Sequence, residues 1–292
     1  MEGRGRIKLS YECGACIMRQ VGEVLDLSTD DEKLKFELMQ NCIEYMSENF
    51  KKDSQPNKLA TEVNQYIKQK TQCSDAYIRE KQISNEIALS ILPDIKDMIK
   101  SNDDLETYVK LSIVGNILDF GAYSPSTDFE KLILKNLGKD LSINDTQQLE
   151  NALKHYSDLL YLVDNTGEIV FDRLLIEKIR EYDVNVTVAV KSSPIVNDAC
   201  KKEAIEAGLD QLAEIVTVGS DMGGIVEEMF SCEFREIFDS SDFIISKGMA
   251  NYEGLTEMNL EGKDVFSLLC CKCKPISKSL SVDLNSFVAK KI

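Results

Sequence analysis

The sequence predicts an α/β fold: a mostly parallel sheet covered by helices on both faces, preceded by an all-helical region. Three observations predict it. From Glu12 to about Gln148, apolar residues recur at steps of three and four. After about residue 150, five short apolar runs appear, and amphipathic stretches separate the first four. Alternation of this kind makes βαβ units, hence parallel strands. Two domains are expected: a helical domain at 1–150 and an α/β domain at 151–292.

In the first region the helical period is carried by Leu34, Leu38, Cys42 and Tyr45. Leu59, Val63, Tyr66 and Ile67 repeat it, as do Ile83, Ile87, Ile91 and Ile95. Residues 109–122 read as a further apolar helix. Breaks are expected at Ser54-Gln55-Pro56, Ser101-Asn102-Asp103 and Tyr123-Ser124-Pro125. No strand is expected before residue 150. In the second region the expected strands are 159–163, 184–190, 215–218, 243–245 and 265–269, with helices at about 168–181, 197–207 and 224–238.

Charge and composition narrow the function. A formal net charge of -16 repels a phosphate backbone, so nucleic-acid binding is disfavoured. A phosphate-ester substrate would then need local positive charge from lysines or a metal. No apolar run reaches roughly 18 residues, so no membrane partner is expected. The first six residues lack the apolar stretch of a signal peptide, and a cytoplasmic location is expected. The nine cysteines are then expected to be mostly reduced. A single histidine, His155, leaves little room for histidine-rich zinc sites.

In parallel sheets ligands bind at the carboxyl ends of strands. The first run ends in Asp164-Asn165-Thr166-Gly167-Glu168. A carboxylate beside an amide oxygen suits a hard divalent cation, and the helix that follows offers its N-terminus to an anion. The same residues also fit a capping box formed by Asn165 and Glu168. Lys191 and Asn197-Asp198 follow the second run, where Asp198 is either a metal ligand or a helix cap. Gly219-Ser220-Asp221-Met222-Gly223-Gly224 follows the third and has the look of a phosphate cradle. Lys247-Gly248-Met249-Ala250-Asn251-Tyr252-Glu253 ends the fourth, and Cys270-Cys271-Lys272-Cys273 the fifth. A lysine at an apolar strand end is costly unless it meets an anion, so Lys272 stands out.

These segments, in this order, resemble the damage-control phosphatase family. The resemblance rests on Asp164, Asn165, Gly167 and Glu168, on Asn197-Asp198, on Lys247-Gly248 with Asn251-Tyr252-Glu253, and on Lys272. Cys13 and Cys16 form a Cys-x-x-Cys similar to that of the small microbial branch. The resemblance spans nearly the whole chain. It implies a Rossmann-like three-layer α/β/α domain beside the helical one. It implies a divalent metal (Mg, Mn, Co or Ni) held by Asp164, Asn165 and Asp198, and hydrolysis of small phosphorylated metabolites. Asp164, Asp198 and Lys272 would be catalytic. Glu168, Lys247, Gly248, Met249, Ala250, Asn251 and Tyr252 would meet substrate. Some larger relatives carry Arg-Thr-x-Lys near the C-terminus. Only the lysine survives here, so their substrate preference is not transferred.

Other classes fit parts of the sequence. The Asp164 turn loosely resembles that of an S-adenosylmethionine-dependent methyltransferase, but it has one glycine where such loops have two or three. Cys13, Cys16, Cys271 and Cys273 supply four sulfurs, the number a structural zinc site needs. A non-enzymatic metabolite-binding protein would carry the same residues. An aspartyl-phosphate mechanism would want a second Asp two residues after Asp164, where Thr166 stands.

Overall fold

The computed structural model describes residue 7 and residues 9–116 and 129–292, with 129 and 130 described as backbone only. Three helices open the chain: α1 (Tyr11–Ser28), α2 (Glu32–Asn49) and α3 (Pro56–Thr71). Their starts follow local rules. The Ser10 hydroxyl accepts from the Glu12 amide, Asp31 accepts from Lys33 and Leu34, and Pro56 takes the first position of α3. The three pack on one another around Val21, Leu25, Leu38, Cys42, Val63 and Ile67, a core of their own.

Helices α4 (Ile78–Ile99) and α5 (Leu105–Gly115) belong elsewhere. Ala88, Ile95, Val109, Leu111, Ile113 and Val114 share one core with the sheet. The change of period near residue 150 therefore does not coincide with a change of core. Short helices α6 (Phe129–Leu137) and α7 (Thr146–Leu153) flank β1 (Leu141–Asn144), a strand in the region where none was expected. Four residues of mixed exposure are too few for alternation to register. The remaining expectation at 117–122 and the break at 123–125 lie outside the described residues.

The five expected strands are present as β2 (Asp158–Leu162), β3 (Asn185–Val190), β4 (Glu214–Thr217), β5 (Phe243–Lys247) and β6 (Asp264–Cys270). A last strand, β7 (Phe287–Lys291), completes a seven-stranded sheet of order β1-β7-β6-β5-β2-β3-β4. All neighbours are parallel except β6 and β7. Both faces are covered, as the continuous apolar runs require. Along β2, Leu159 and Tyr161 face one core while Leu160 and Leu162 face the other.

Helix α8 (Glu168–Ile179) follows β2 and is the most enclosed. All its residues but Arg173 and Glu177 are buried, between the sheet and α4 and α5. At the α5 crossing, a Cβ on Gly115 would meet Phe171 at 2.9 Å and the Glu168 backbone at 3.3 Å, so only glycine allows the approach. Helix α9 (Lys201–Glu206) is shorter than the expected 197–207. The stretch 224–238 holds a single 3-10 turn at Glu227–Met229 and becomes α-helical only in its second half, as α10 (Cys232–Ser240), while Gly223 is held against α3. Helix α11 (Met249–Leu255) follows β5, and α12 (Lys274–Leu280) follows β6. No helix among the described residues is long and apolar enough to cross a membrane.

Candidate metal and phosphate site

The carboxyl ends of β2, β3, β5 and β6 converge under α1 and α3 on one cleft, with a volume of about 240 Å³. Asp164, Asn165 and Asp198 line it, and so do Met249, Ala250 and Lys272. The other wall is polar and uncharged: Gln20, Asn57, Thr61 and Asn64. Several bonds fasten helix α3 to the segments after the strands. Asn57 donates to the Ala250 carbonyl (2.8 Å), the Gly223 amide donates to Thr61 Oγ1 (2.9 Å), and Lys68 pairs with Asp221 (2.9 Å).

The segments after β2 and β3 hold each other by backbone bonds. The Ala199 amide donates to the Asp164 carbonyl (2.9 Å), and the Thr166 amide to the Asn197 carbonyl (2.9 Å). Asn165 and Asp198 consequently pair as an isolated bridge. Two carboxylates, Asp164 and Asp198, are thus drawn into one buried place at 7% and 8% exposure. Burial pushes the Asp164 carboxyl well above its usual range, with Glu168 and Asp198 adding to the push. Burial also raises Asp198, against the pull of Lys191 and Lys81. Asp198 Oδ2 has no hydrogen-bond partner. Crowded, desolvated carboxylates, one with an oxygen that accepts no hydrogen bond and stands 3.5 Å from Lys191, are what a bound cation relieves, and the all-oxygen donor set (Asp164, Asn165, Asp198) fits a hard divalent ion.

Lysines bring positive charge to the cleft of this acidic chain. Lys272 lines the cleft and donates to the main-chain oxygen of Asn116. Lys191 is buried, bonded to the Gly224 carbonyl and 3.5 Å from Asp198, so it balances Asp198 instead of facing a phosphate. The Gly223 amide is engaged by Thr61, which narrows the role of residues 219–224 as a phosphate cradle.

A family model, the damage-control phosphatase ARMT1-like domain, matches residues 9–288. The chain belongs to this family. An uncharacterized protein of Methanocaldococcus jannaschii is 39% identical, over 98% of this chain and 96% of that protein. The damage-control phosphatase PH1575 of Pyrococcus horikoshii is 32% identical, over 97% of both chains. The crystal structure of a DUF89 family protein from Pyrococcus horikoshii superposes with a TM-score of 0.89 at 31% identity. That match covers 97% of this chain and 99% of the other.

Several residues of the family pattern stand behind the cleft, not in it. Lys247, expected to meet substrate, is completely buried. Its ammonium lies 2.6 Å from Glu168 Oε1, 2.6 Å from Asp172 Oδ1 and 3.0 Å from the Ser112 carbonyl. Its donors are fully engaged, so substrate contact is corrected to a supporting ion pair. Glu168, also expected at the substrate, is 1% exposed and ties Lys247 to the Asn165 amide (3.3 Å). The capping box is not formed, since α8 begins after Gly167 with no side-chain cap, although Glu168 Oε2 accepts from the Asn165 amide. Asn251 staples two strand ends, donating to the Val163 (3.0 Å) and Lys247 (2.8 Å) carbonyls. Tyr252 packs with Leu269 and Ile276 in a small core. Gly248 lies at φ 79°, where an added Cβ would fall 1.9 Å from Asp164 Oδ2. Its place in the pattern is steric: it lets Asp164 approach.

Glu253 does not line the cleft. It faces a separate hollow of about 80 Å³ beside Glu227, Glu228 and Glu257. Burial, then Glu257, raises it from 4.5 to about 7. An acid with a raised pKa in the folded state favours folding at low pH, and that contribution is lost as pH climbs from 4.5 to 7. Glu253→Gln should therefore leave the melting temperature nearly unchanged at pH 5 and raise it at pH 8. Melts at the two pH values check this, and an equal effect at both counts against it.

All nine cysteines are free thiols. Among the described residues no three His, Cys, Asp or Glu side chains are grouped to hold a metal ion. The four-sulfur zinc arrangement is accordingly not formed: Cys16 is exposed near Arg19, and the buried Cys271 thiol bonds the Cys273 carbonyl. Sequence reasoning passed over Asn116, Asn85, Lys81 and Asp172. Asn85 Oδ1 accepts from the Gly167 amide (2.9 Å), and Tyr161 donates to Asp172 (3.0 Å). Asn116 ends a helix remote in sequence from any strand, where no periodicity marks it.

Proposed function

We propose that this protein is a metal-dependent phosphomonoesterase acting on small, damaged or side-product phosphometabolites. The observation that carries the reading is the pairing of two buried, mutually opposed carboxylates, Asp164 and Asp198, with Lys272 across one cleft. The relatives named damage-control phosphatases support the same reading. Asp164, Asn165 and Asp198 would hold the metal. A divalent cation there, magnesium or a transition ion such as manganese, cobalt or nickel, supplies Lewis acidity toward a phosphoryl oxygen and toward water.

The protein's own groups do the rest. Asp164 Oδ2 is fixed by amide donors from Asn116 (2.8 Å) and Asn165 (3.0 Å), so it serves as the anchor. Asp198, whose Oδ2 accepts no hydrogen bond and lies 3.5 Å from the Lys191 ammonium, would take a proton from the attacking water through the oxygen that does not hold the metal. Lys272 and the start of α11, at Met249 and Ala250, face the phosphoryl group and stabilise its developing charge. Glu168, Lys247, Gly248, Asn251 and Tyr252 hold this arrangement from behind. The polar wall of Gln20, Asn57, Thr61 and Asn64 receives the alcohol portion of the ester.

The test is hydrolysis of a panel of phosphate monoesters with magnesium, manganese, cobalt or nickel added. Turnover that appears only with metal supports the reading, and none with any pair defeats it. Within that panel, Lys272→Ala should raise KM for the ester about tenfold or more while metal affinity by calorimetry changes little. A larger loss of metal than of phosphate affinity would contradict the role of Lys272.

A further inference from the structure

Asn116 occupies the C-terminal boundary of α5 and touches Asp164, Glu168 and Lys272. Its side-chain nitrogen lies 2.8 Å from Asp164 Oδ2 and 2.6 Å from Glu168 Oε2. Both oxygens accept from the amide nitrogen, whose two N–H groups match the two acceptors. Glu168 in turn holds Lys247 through its other oxygen, at 2.6 Å. The main-chain oxygen of Asn116 accepts from the Lys272 ammonium. A carbonyl at a helix C-terminus lacks an intrahelical partner and carries partial negative charge, so a lysine is favoured there.

We propose that Asn116 is the positioning residue of the site, setting Asp164 through its side chain and Lys272 through its backbone. This rests on the reading of Asp164 as a metal ligand and of Lys272 as the phosphate-facing cation. The two halves of the role are separable. The side chain is a neutral donor between two carboxylates that would otherwise repel, and it holds Asp164 at one rotamer. The backbone oxygen restrains Lys272 whatever side chain residue 116 carries. One short helix end thereby fixes the spacing between the group that binds metal and the group that binds phosphate. Groups that orient a metal ligand in this way typically affect metal affinity by about 10–100-fold.

The separation gives the test. Mn2+ affinity is measured by calorimetry for the wild-type protein, Asn116→Ala, Lys272→Ala and Asp164→Ala. Inorganic phosphate affinity is then measured at saturating Mn2+. Asn116→Ala should weaken Mn2+ binding at least tenfold and leave the phosphate Kd within about threefold. Lys272→Ala should do the reverse. Mn2+ affinity of Asn116→Ala within twofold of wild type overturns the proposal. So does a parallel loss of both affinities, which would mark general damage to the α5 end. Should the alanine variant fail to fold, Asn116→Ser is read instead. It keeps one hydroxyl donor and should show a smaller loss of Mn2+ affinity with phosphate binding again retained. Asp164→Ala separates the two layers of argument. If it keeps full Mn2+ affinity, the assignment of the site fails; if it loses Mn2+ and Asn116→Ala does not, only the role of Asn116 fails.

Discussion

Asp164→Ala should lower metal-dependent phosphatase activity by roughly a thousandfold or more while leaving the metal-free fold intact. The activity estimate follows from losing several kcal/mol of Lewis-acid stabilisation, at about 1.4 kcal/mol per factor of ten. The stability estimate follows from the environment of the carboxyl. Burial and the neighbouring Glu168 and Asp198 already oppose its charge, so its removal relieves a penalty. The amides of Asn116 and Asn165 lose an acceptor in exchange. These effects offset, and the metal-free melting temperature should stay within a few degrees of wild type. Adding Mn2+ at about 100 times its Kd should stabilise the wild-type protein by about 2.7 kcal/mol and the variant hardly at all. Activity assays and melts with and without Mn2+ check both halves. An Mn2+ shift preserved in the variant would remove Asp164 from the metal site.

Lys247→Met should have the largest effect on stability. The methionine keeps the length of the side chain and removes the ammonium held between Glu168 and Asp172, which are 1% and 0% exposed. Breaking a buried pair by deleting one partner typically costs about 3–5 kcal/mol, because the remaining charge has no solvent and no counterion. For a chain of this size that is a fall of roughly 10 °C. The loss should depend on pH. Asp172 lies at about 7, raised first by burial and held back by Lys247. Without the lysine it rises further, so protonation at low pH relieves the repulsion and the destabilisation is greater at pH 8 than at pH 6. The double variant Lys247→Met with Asp172→Asn should recover part of the loss. Thermal melts of both proteins at the two pH values decide the matter. A loss below about 1 kcal/mol would mean the ion pair is dispensable.

The two predictions share a physical feature. The family pattern mixes residues that face the cleft with residues that hold them in place, and a one-dimensional motif does not separate the two. Lys247 and Lys272 both follow apolar strands, and both are costly in apolar surroundings. Lys247 lies within β5, paired to the sheet neighbour Leu268 and enclosed by α8. Lys272 lies two residues past the end of β6, where the chain has left the sheet. That difference of position decides which ammonium meets solvent. Gly248 is similar: read along the chain it marks a turn, whereas the fold shows that an added Cβ would fall 1.9 Å from Asp164 Oδ2.

From the residues alone come five of the seven strands, β2 to β6, and their parallel arrangement. Continuous apolar runs separated by helices admit few other solutions, and that information is local. It also marked Asp164, Asn165, Asp198 and Lys272, because polar residues at strand ends are conspicuous against apolar strands. The tertiary structure alone decided the rest. It split the helical region between two cores, brought β1 and β7 to the sheet, placed Asn116 and Lys81 near carboxylates up to 117 residues away in the chain, and set Asn85 on the Gly167 amide. Such contacts carry no period in the sequence. They arise from the packing of α4 and α5 on α8, which brings these side chains to the carboxylates and, with α8 and β5, encloses Lys247.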